Sequence, residues 1–138
     1  MRSELLQVRT GHRAQVHDLT EACARFVRAG GDPVGDGLLH VFVPHATAGV
    51  AILETGAGSD HDLLAALDAL LPRDDRWRHQ HGSDGHGRDH VLPAFIAPQT
   101  SVPVLGGRLQ LGTWQSSCRV DTNRDNAVRE VRLSFLVG

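Results

Sequence analysis

The chain contains no lysine and no tyrosine, so all 14 of its basic residues are arginines. The absence of lysine excludes Schiff-base catalysis and a P-loop phosphate site, because both require a lysine amine. A general acid or base must therefore come from histidine, aspartate, glutamate, cysteine or a chain terminus. An anion site would be built from backbone N–H groups or from arginine, whose planar guanidinium binds carboxylates and phosphates.

Cysteines and long apolar segments are also scarce. Cys23 and Cys118 are the only cysteines, and the N-terminal MRSELLQVRT lacks the apolar region of a secretion signal. No apolar run approaches the ~20 residues that are needed to cross a bilayer. These features predict a cytoplasmic chain in which both cysteines are buried thiols rather than a disulfide.

The charge pattern gives no basic surface. The formal net charge is −2 at pH 7, so neither a nucleic acid nor a membrane is an expected partner. Arg124, Arg129 and Arg132 near the C-terminus are interpreted as the solvated face of a strand. A hydrophobic fraction of 41% over 138 residues predicts one globular domain that spans residues 1–138.

Hydrophobic periodicity predicts two helices among many short strands. The first helix has Thr20 as its N-cap and ends before Gly30, and the second begins at a capping box of Ser59 and Asp62 and ends at Pro72. Because the strands occur in clusters, the expected fold is α+β, with largely antiparallel sheets of about seven to eight strands and two main helices. The predicted strands are Leu5–Arg9, Ala14–Leu19, Leu38–His45, Ala48–Leu53, Ala94–Ile96, Ser101–Val104, Arg108–Gly112, Trp114–Val120 and Val128–Val137, and a loop is predicted at GGDPVGDG, residues 30–37.

Four of the nine histidines fall within HQHGSDGHGRDH, residues 79–90. His86 and His90 are four residues apart, but Gly85 and Gly87 argue against a helix, so the segment is predicted to be a loop. It does not contain the HExxH zinc motif. Two interpretations remain open. The loop is either a solvated surface segment with incidental histidines, or it gathers the imidazoles into a site that binds a metal or an anion, or that moves a proton.

Two further polar residues stand at predicted strand ends. His45 begins the small-residue turn HATAG, where it would project into a cleft beside Thr47 and backbone N–H groups, or would instead bond a turn carbonyl. Glu54 follows the apolar strand AGVAIL. A carboxylate there would orient a histidine, ligate a metal or act as a base, unless it is only an exposed strand-terminal acid.

The sequence GTWQ, residues 112–115, combines one of only two tryptophans with two polar neighbours. In a strand, Trp114 would face the core, and Thr113 and Gln115 would share the opposite face. Two polar side chains on one face are typical of a pocket wall.

These motifs together resemble the YjbQ-like family over nearly the whole chain. The matching features are HATAG at residues 45–49, Glu54, His79, His90, VPV at residues 102–104 and GRLQLGTWQ at residues 107–115. The family is known as the secondary thiamine-phosphate synthase enzymes. The chain departs from its motifs at Ala46, Leu53 and Leu92, where the family has threonine, asparagine and lysine, at His86, where aspartate or asparagine is usual, and at Asp121, where the family has glutamate.

The resemblance implies an α+β fold, a homotrimer with clefts shared between subunits, and a weak or secondary thiamine-phosphate synthase activity. In that reaction a thiazole phosphate displaces diphosphate from a pyrimidine-methyl diphosphate. The implied catalytic residues are His45, Glu54 and His90, the implied substrate-binding residues are Thr47, Arg88, Thr113, Trp114, Gln115 and Asp121, and the metal-binding residues are His79, His86 and His90.

Two other functions remain open beside the synthase. One is a metal-dependent hydrolase of a small phosphorylated or ester substrate, since three histidines with a carboxylate suit zinc or another transition metal. The other is a trimeric metabolite-binding or metal-binding module without turnover. The expected cofactor is a divalent metal, zinc or magnesium, and the expected ligand is a small phosphorylated molecule.

Overall fold

The computed structural model describes residues 1–31 and 35–138. Within those residues the chain forms eight strands, two α-helices and two short 3-10 helices. In chain order the elements are β1 (Arg2–Arg9), β2 (Gln15–Asp18), α1 (Thr20–Arg28), β3 (Gly37–Phe42), β4 (Ala48–Leu53), α2 (Ser59–Leu70), the 3-10 helices His86–His90 and Leu92–Ala94, β5 (Gln99–Leu105), β6 (Arg108–Leu109), β7 (Ser116–Asp121) and β8 (Val128–Val137). Positions 32–34 of the predicted loop at residues 30–37 lie outside the described residues.

The strands form two antiparallel sheets. The larger sheet has the order β1-β8-β3-β5-β6, and the smaller sheet has the order β2-β7-β4. Every pairing between these strands is antiparallel. The predicted α+β fold with largely antiparallel sheets is therefore confirmed.

The smaller sheet has apolar partners on both faces. On one face, Ala48 and Val50 of β4 join the main core, which contains residues of the larger sheet and of α1. On the other face, Val120 of β7 packs against Leu67 of α2 and Leu92 of the second 3-10 helix. Because side chains alternate along a strand, these two clusters follow from the period-two pattern of β4 and β7.

Gly49 brings β4 against the segment that follows the 3-10 helices. A Cβ atom at Gly49 would lie 2.1 Å from the Ile96 carbonyl oxygen, so only glycine fits without a shift of backbone. The neighbouring Val50 N–H donates to the Ala97 carbonyl at 2.8 Å. This contact anchors the C-terminal end of the histidine-rich segment to the smaller sheet.

Both predicted helix caps are wrong, although both helices occur. Leu19 occupies the N-cap of α1, and the Thr20 hydroxyl instead accepts a hydrogen bond from the Ser117 N–H at 3.0 Å. Gly58 occupies the N-cap of α2 with a φ of 98°, which makes Ser59 the first helical residue. A contact with the smaller sheet therefore replaces the predicted cap of α1, and a glycine with a positive φ replaces the predicted cap of α2.

Two of the predicted strand segments have a different structure. The predicted strand Ala94–Ile96 is instead the end of a 3-10 helix and a turn, since Pro93 stands in the first turn of the helix Leu92–Ala94. Trp114 lies in a turn and is 73% exposed, so its predicted place in a strand facing the core is wrong. The Gln115 side chain closes this turn by accepting the Gly112 N–H at 2.8 Å.

The cysteines agree with the sequence prediction. Cys23 and Cys118 are both free and buried. Burial raises the pKa of each thiol to about 12, so neither is a nucleophile near neutral pH. Among the described residues, no helix is long and apolar enough to cross a membrane.

Candidate functional site

The histidine-rich segment folds into a turn followed by the 3-10 helix His86–His90, so the predicted loop is wrong at this helix. The two glycines that argued against a helix are accommodated. Gly85 is the N-cap with a φ of 69°, a conformation that glycine adopts readily. A Cβ atom at Gly87 would lie 2.5 Å from the His79 carbonyl oxygen, so this glycine permits close packing of the helix on the preceding chain.

Four imidazole rings of this segment converge. The ring centroid of His79 lies 3.9 Å from that of His81 and 4.0 Å from that of His90. The Nε2 atoms of His86 and His90 are 2.9 Å apart. Ligand atoms of His79, His81 and His86 all lie within 4.8 Å of one another. The segment therefore forms a histidine cluster, and His81 belongs to it as closely as the three predicted metal ligands.

Two carboxylates fix the orientation of the buried His86 ring. Asp125 Oδ2 lies 2.9 Å from His86 Nδ1, and Asp89 Oδ2 lies 3.4 Å from the same atom. Asp89 is fully buried and accepts hydrogen bonds from Thr122 at 2.6 Å and from Arg73 at 3.1 Å. Neither contact has hydrogen-bond geometry, so the carboxylates act on this ring through their charge. A proton on Nδ1 facing them would leave the Nε2 lone pair for the cluster, as in carboxylate–histidine–metal arrangements.

The titration behaviour of the cluster favours ligand-ready imidazoles. Burial, followed by the neighbouring histidines, lowers the pKa of His79 and of His90. Burial acts to raise the pKa of Asp125, but hydrogen bonds from Ser83 and the nearby His86 lower it overall. The lowered pKa values of His79 and His90 favour their neutral forms, and that of Asp125 favours its carboxylate, which are the protonation states that metal binding requires.

The cluster fits a divalent transition metal. His79 Nε2 is buried and has no hydrogen-bond partner among the described residues, so a polar atom of the cluster lacks the partner that buried polar groups normally have. Two nitrogen ligands on a tetrahedral zinc lie roughly 3.3 Å apart, given zinc–nitrogen bonds of about 2.0–2.1 Å. The ligand atoms of His79, His81 and His86, all within 4.8 Å of one another, would have to move closer to reach that spacing. Imidazole nitrogens suit zinc, copper, iron and nickel better than magnesium.

An open cleft of about 390 Å³ lies beside the cluster. Its wall includes three cluster histidines and polar residues from the loops that follow β3 and β7. The lining residues are His45, Ala46, Thr47, His81, Gly82, His86, His90, Asn123, Asp125, Asn126 and Arg129. His45, Thr47 and the histidine cluster are therefore brought together although they lie far apart in the sequence.

His45 has one ring nitrogen committed to the protein. Its Nε2 accepts the backbone N–H of Glu130 at 2.8 Å, so the proton of the neutral ring resides on Nδ1. Burial, followed by the positive charge of Arg129, lowers the pKa of His45. His45 is thus a neutral hydrogen-bond donor, and its Nε2 is not free to act as a base.

A buried charge network lies behind the cleft. Asp121 Oδ2 accepts hydrogen bonds from Arg119 Nη1 at 2.8 Å and from Arg129 Nε at 2.6 Å. Arg129 is only 2% exposed, so the interpretation of Arg129 as part of a solvated strand face is wrong. Arg124 and Arg132 are exposed, as expected. The burial of Arg129 could not be predicted from local sequence, because it depends on Asp121, which lies on a strand of the other sheet and meets the inward-facing side of β8.

Comparison with known proteins assigns the family. The profile of the UPF0047 YjbQ-like proteins matches residues 4–137. The chain belongs to the YjbQ-like family.

Similar proteins occur in distant organisms, and a solved structure shares the fold. A UPF0047 protein of Mycobacterium tuberculosis is 59% identical, and the match covers 100% of both chains. The UPF0047 protein YugU of Bacillus subtilis is 32% identical over 80% of this chain and 81% of its own length. The crystal structure of a hypothetical protein from Aeropyrum pernix has a TM-score of 0.89 and 31% identity, and the match covers 100% of both chains. The predicted family resemblance is confirmed.

The remaining site residues predicted for this YjbQ-like chain lie elsewhere. Glu54 is exposed just beyond β4. The guanidinium of Arg88 is buried and is bound by the Asp68 carboxylate at 2.6 Å. Thr113 and Trp114 are not among the cleft residues, and Gln115 lines a different hollow, next to α1. Within a single YjbQ-like chain, the structure therefore separates these side chains from the histidine cluster.

Four functional residues of the YjbQ-like site were missed by the sequence analysis. His81 was visible within the histidine segment but was not assigned as a ligand. Asn123, Asp125 and Arg129 line the cleft and were given no role there. The available signal for Asn123 and Asp125 was the polar run DTNRDN at residues 121–126, at the end of a buried strand, in which only Asp121 was assigned a role.

Proposed function

We propose that this YjbQ-like protein is a transition-metal-dependent hydrolase of a small molecule bound in the cleft. The observation that carries the proposal is the convergence of His79, His81 and His86 at the edge of an open cleft. Three protein ligands with an open position are typical of catalytic zinc sites, whereas structural zinc sites are closed by four. This geometry favours catalysis over a purely structural metal.

The cleft residues have distinct roles in this proposal. A bound divalent metal supplies Lewis acidity and lowers the pKa of a coordinated water. His90 lines the cleft with Nε2 2.9 Å from His86 Nε2. Once a metal held the His86 lone pair, His90 would be released from that hydrogen bond and would be the base for the proton that the attacking water loses. His45 donates its Nδ1–H to the substrate. Asp125 and Asp89 hold the His86 ring in place.

The metal site is tested by elemental analysis of protein purified without chelators. We expect close to one zinc, cobalt, nickel, iron or copper ion per chain, and loss of that ion in His79→Ala and His81→Ala. His61→Ala is the matched control, because the His61 side chain is 86% exposed on α2. Substoichiometric metal in the wild type, or equal loss in His61→Ala, would contradict the proposal.

Catalysis is tested on metal-loaded protein with panels of phosphate monoesters and carboxylic esters. We expect turnover that requires the metal and that falls by about 10²-fold or more in His90→Ala, since general acid–base catalysis contributes roughly 10²–10⁴-fold. A protein that binds metal but turns over none of these substrates is better explained as the metal-binding module.

The thiamine-phosphate synthase activity implied by the family remains a prediction with less geometric support. Of its expected substrate-binding residues, Arg88 is bound by Asp68, and Trp114 is not among the cleft residues of the same chain. The test is to incubate both phosphorylated precursors with magnesium and the protein. Thiamine phosphate formed equally by wild type and His90→Ala would indicate a contaminating activity.

We also propose that the protein functions as a homotrimer, as the family resemblance implies. The outward face of the larger sheet carries exposed apolar side chains, which a second copy of the chain would cover. These residues are Leu5, Leu38, Phe42, Leu105 and Leu136. Light scattering should give about 45 kDa, three times the chain mass of 14.9 kDa. A monomeric mass at micromolar concentration would refute the trimer.

A further inference from the structure

The hydroxyl of Thr47 has a hydrogen with no acceptor in the described protein. Its Oγ1 accepts hydrogen bonds from Asn123 Nδ2 at 3.1 Å and from Arg129 Nη2 at 3.3 Å. A hydroxyl has two lone pairs and one hydrogen, so both acceptor positions are filled. Thr47 is buried and lines the cleft. Its remaining hydrogen is therefore available to an acceptor that enters the cleft.

Arg129 presents a second donor at the same place. Its Nε donates to Asp121 and its Nη2 donates to Thr47. For Nη1 the described residues offer no acceptor, yet this guanidinium lines the cleft. Arg119 and Arg129 share the single carboxylate of Asp121, so within this ion-pair network two positive charges face one negative charge, and the Glu130 carboxylate acts on the neighbouring His45. A buried excess of positive charge is stabilised when a counter-charge arrives.

His45 completes the set with a third donor. Its Nδ1–H is the protonated position, because Nε2 accepts the Glu130 N–H. The only carboxylate among the cleft residues is that of Asp125. It is already engaged by His86 Nδ1 at 2.9 Å and by the Ser83 N–H at 3.3 Å. Asp125 therefore does not neutralise the wall formed by His45, Thr47 and Arg129.

We infer that the wall formed by His45, Thr47 and Arg129 is an anion subsite that binds a carboxylate or phosphoryl group of the substrate. The inference rests on the proposed function, because the histidine cluster lines the same cleft and would act on a bond next to the bound anion. Three convergent donors with an excess positive charge select an anionic oxygen group over a neutral one. The cleft volume of about 390 Å³ fits a small metabolite.

The test uses metal-free protein, so that binding to a metal does not contribute. Inorganic phosphate and acetate are titrated separately by calorimetry and by amide chemical shifts. We expect saturable binding, with shifts at Thr47, Asn123 and Arg129. Tighter binding of phosphate than of acetate assigns a phosphoryl group to the subsite, and the reverse order assigns a carboxylate.

Two variants at one position isolate the donor. Thr47→Val keeps the shape and removes the hydroxyl, and we expect the anion to bind at least about tenfold more weakly, as for loss of a hydrogen bond to a charged group. Thr47→Ser restores the hydroxyl and should bind within about twofold of the wild type. Thr100→Val, at a half-buried threonine on β5, is the matched control and should not change binding.

Unchanged binding in Thr47→Val would overturn the subsite. If Thr47→Val does not fold, His45→Phe is the alternative variant. It removes another donor and should also weaken anion binding about tenfold. Binding that occurs only after metal is added would overturn the subsite and leave the metal site intact. Conversely, wild-type protein that binds the anion but takes up no metal would support the subsite and count against the hydrolase.

Discussion

Asp125 should control the metal affinity of the histidine cluster although it is not a ligand. Its Oδ2 lies 2.9 Å from His86 Nδ1, where its charge favours the ring orientation and proton position that turn Nε2 toward the cluster. Loss of such a carboxylate typically weakens metal binding by about 10–100-fold. In Asp125→Ala, Asp89 Oδ2 remains as an acceptor at 3.4 Å. We therefore expect zinc affinity to fall about tenfold, at the lower end of that range, which corresponds to about 1.4 kcal/mol of binding free energy.

The assay is competition for zinc against a chromophoric chelator at pH 7.5. Asp84→Ala is the matched control, because Asp84 is an exposed residue of the same segment whose carboxylate forms no ion pair with a cluster histidine among the described residues. It removes the same charge without touching His86, and its affinity should stay within about twofold. Asp125→Asn keeps an acceptor oxygen but no charge, so its zinc affinity should lie between those of Asp125→Ala and Asp84→Ala.

Two outcomes would refute this reasoning. If Asp84→Ala weakened zinc binding as much as Asp125→Ala, the effect would be one of net charge rather than of ring orientation. If Asp125→Ala bound zinc like the wild type, Asp89 alone would orient His86, and the position of Asp125 would have no functional consequence.

Three further predictions concern stability and are measured by urea unfolding of metal-free protein. Gly49→Ala should destabilise the fold by about 1–3 kcal/mol, because its Cβ would meet the Ile96 carbonyl at 2.1 Å; an unchanged midpoint would show that this contact relaxes freely. Asp121→Asn should cost about 3–5 kcal/mol, since it leaves two buried guanidinium groups without a counter-charge; a loss below 1 kcal/mol would contradict that. Burial and then Arg119 lower the pKa of His17, so the unfolded chain binds the proton more tightly and stability should fall as the pH drops below about 6.5. His17→Gln should reduce this slope, and an unchanged slope would assign it to other groups.

Local patterns were sufficient for most of the scaffold. The stripe around Cys23 and Phe26 predicted α1, and the apolar run at Ala48–Leu53 predicted β4 with its observed bounds. Both patterns are short-range, because the period of apolar residues is set by the geometry of a single helix or strand. The clustering of strands then indicated the antiparallel α+β class.

Features that depend on tertiary contacts could not be predicted. Gly85 and Gly87 lower helix propensity, yet the 3-10 helix forms because one glycine adopts a positive φ and the other leaves room for the His79 carbonyl. Trp114 is an apolar aromatic residue of the kind expected in a core. The Gln115 side chain, however, closes a turn that leaves Trp114 exposed. The periodicity of apolar residues predicts neither the space beside Gly87 nor the closure of the turn by Gln115.

The site was predicted in part for the same reason. The histidine segment and His45 were identified from residue type, and the structure places them around one cleft. Arg129 was misinterpreted because a strand arginine is usually solvated, and only the position of Asp121 on a different sheet makes its burial favourable. Pairings between residues on separate sheets follow from topology, which the sequence pattern does not specify.

The polar network beneath the histidine cluster is better explained by chemistry than by stability. Asp89 is fully buried among Arg73, Thr122 and His86. Buried ion pairs add little to stability, because desolvation offsets much of the attraction, and apolar residues of similar size often serve a fold as well. An apolar replacement would fill this space but would not hold the Nδ1 proton of His86. The arrangement is therefore the one expected where the Nε2 lone pair of that ring must point at a ligand, and replacement of Asp125, whose side chain is 31% exposed, should lower zinc affinity more than fold stability.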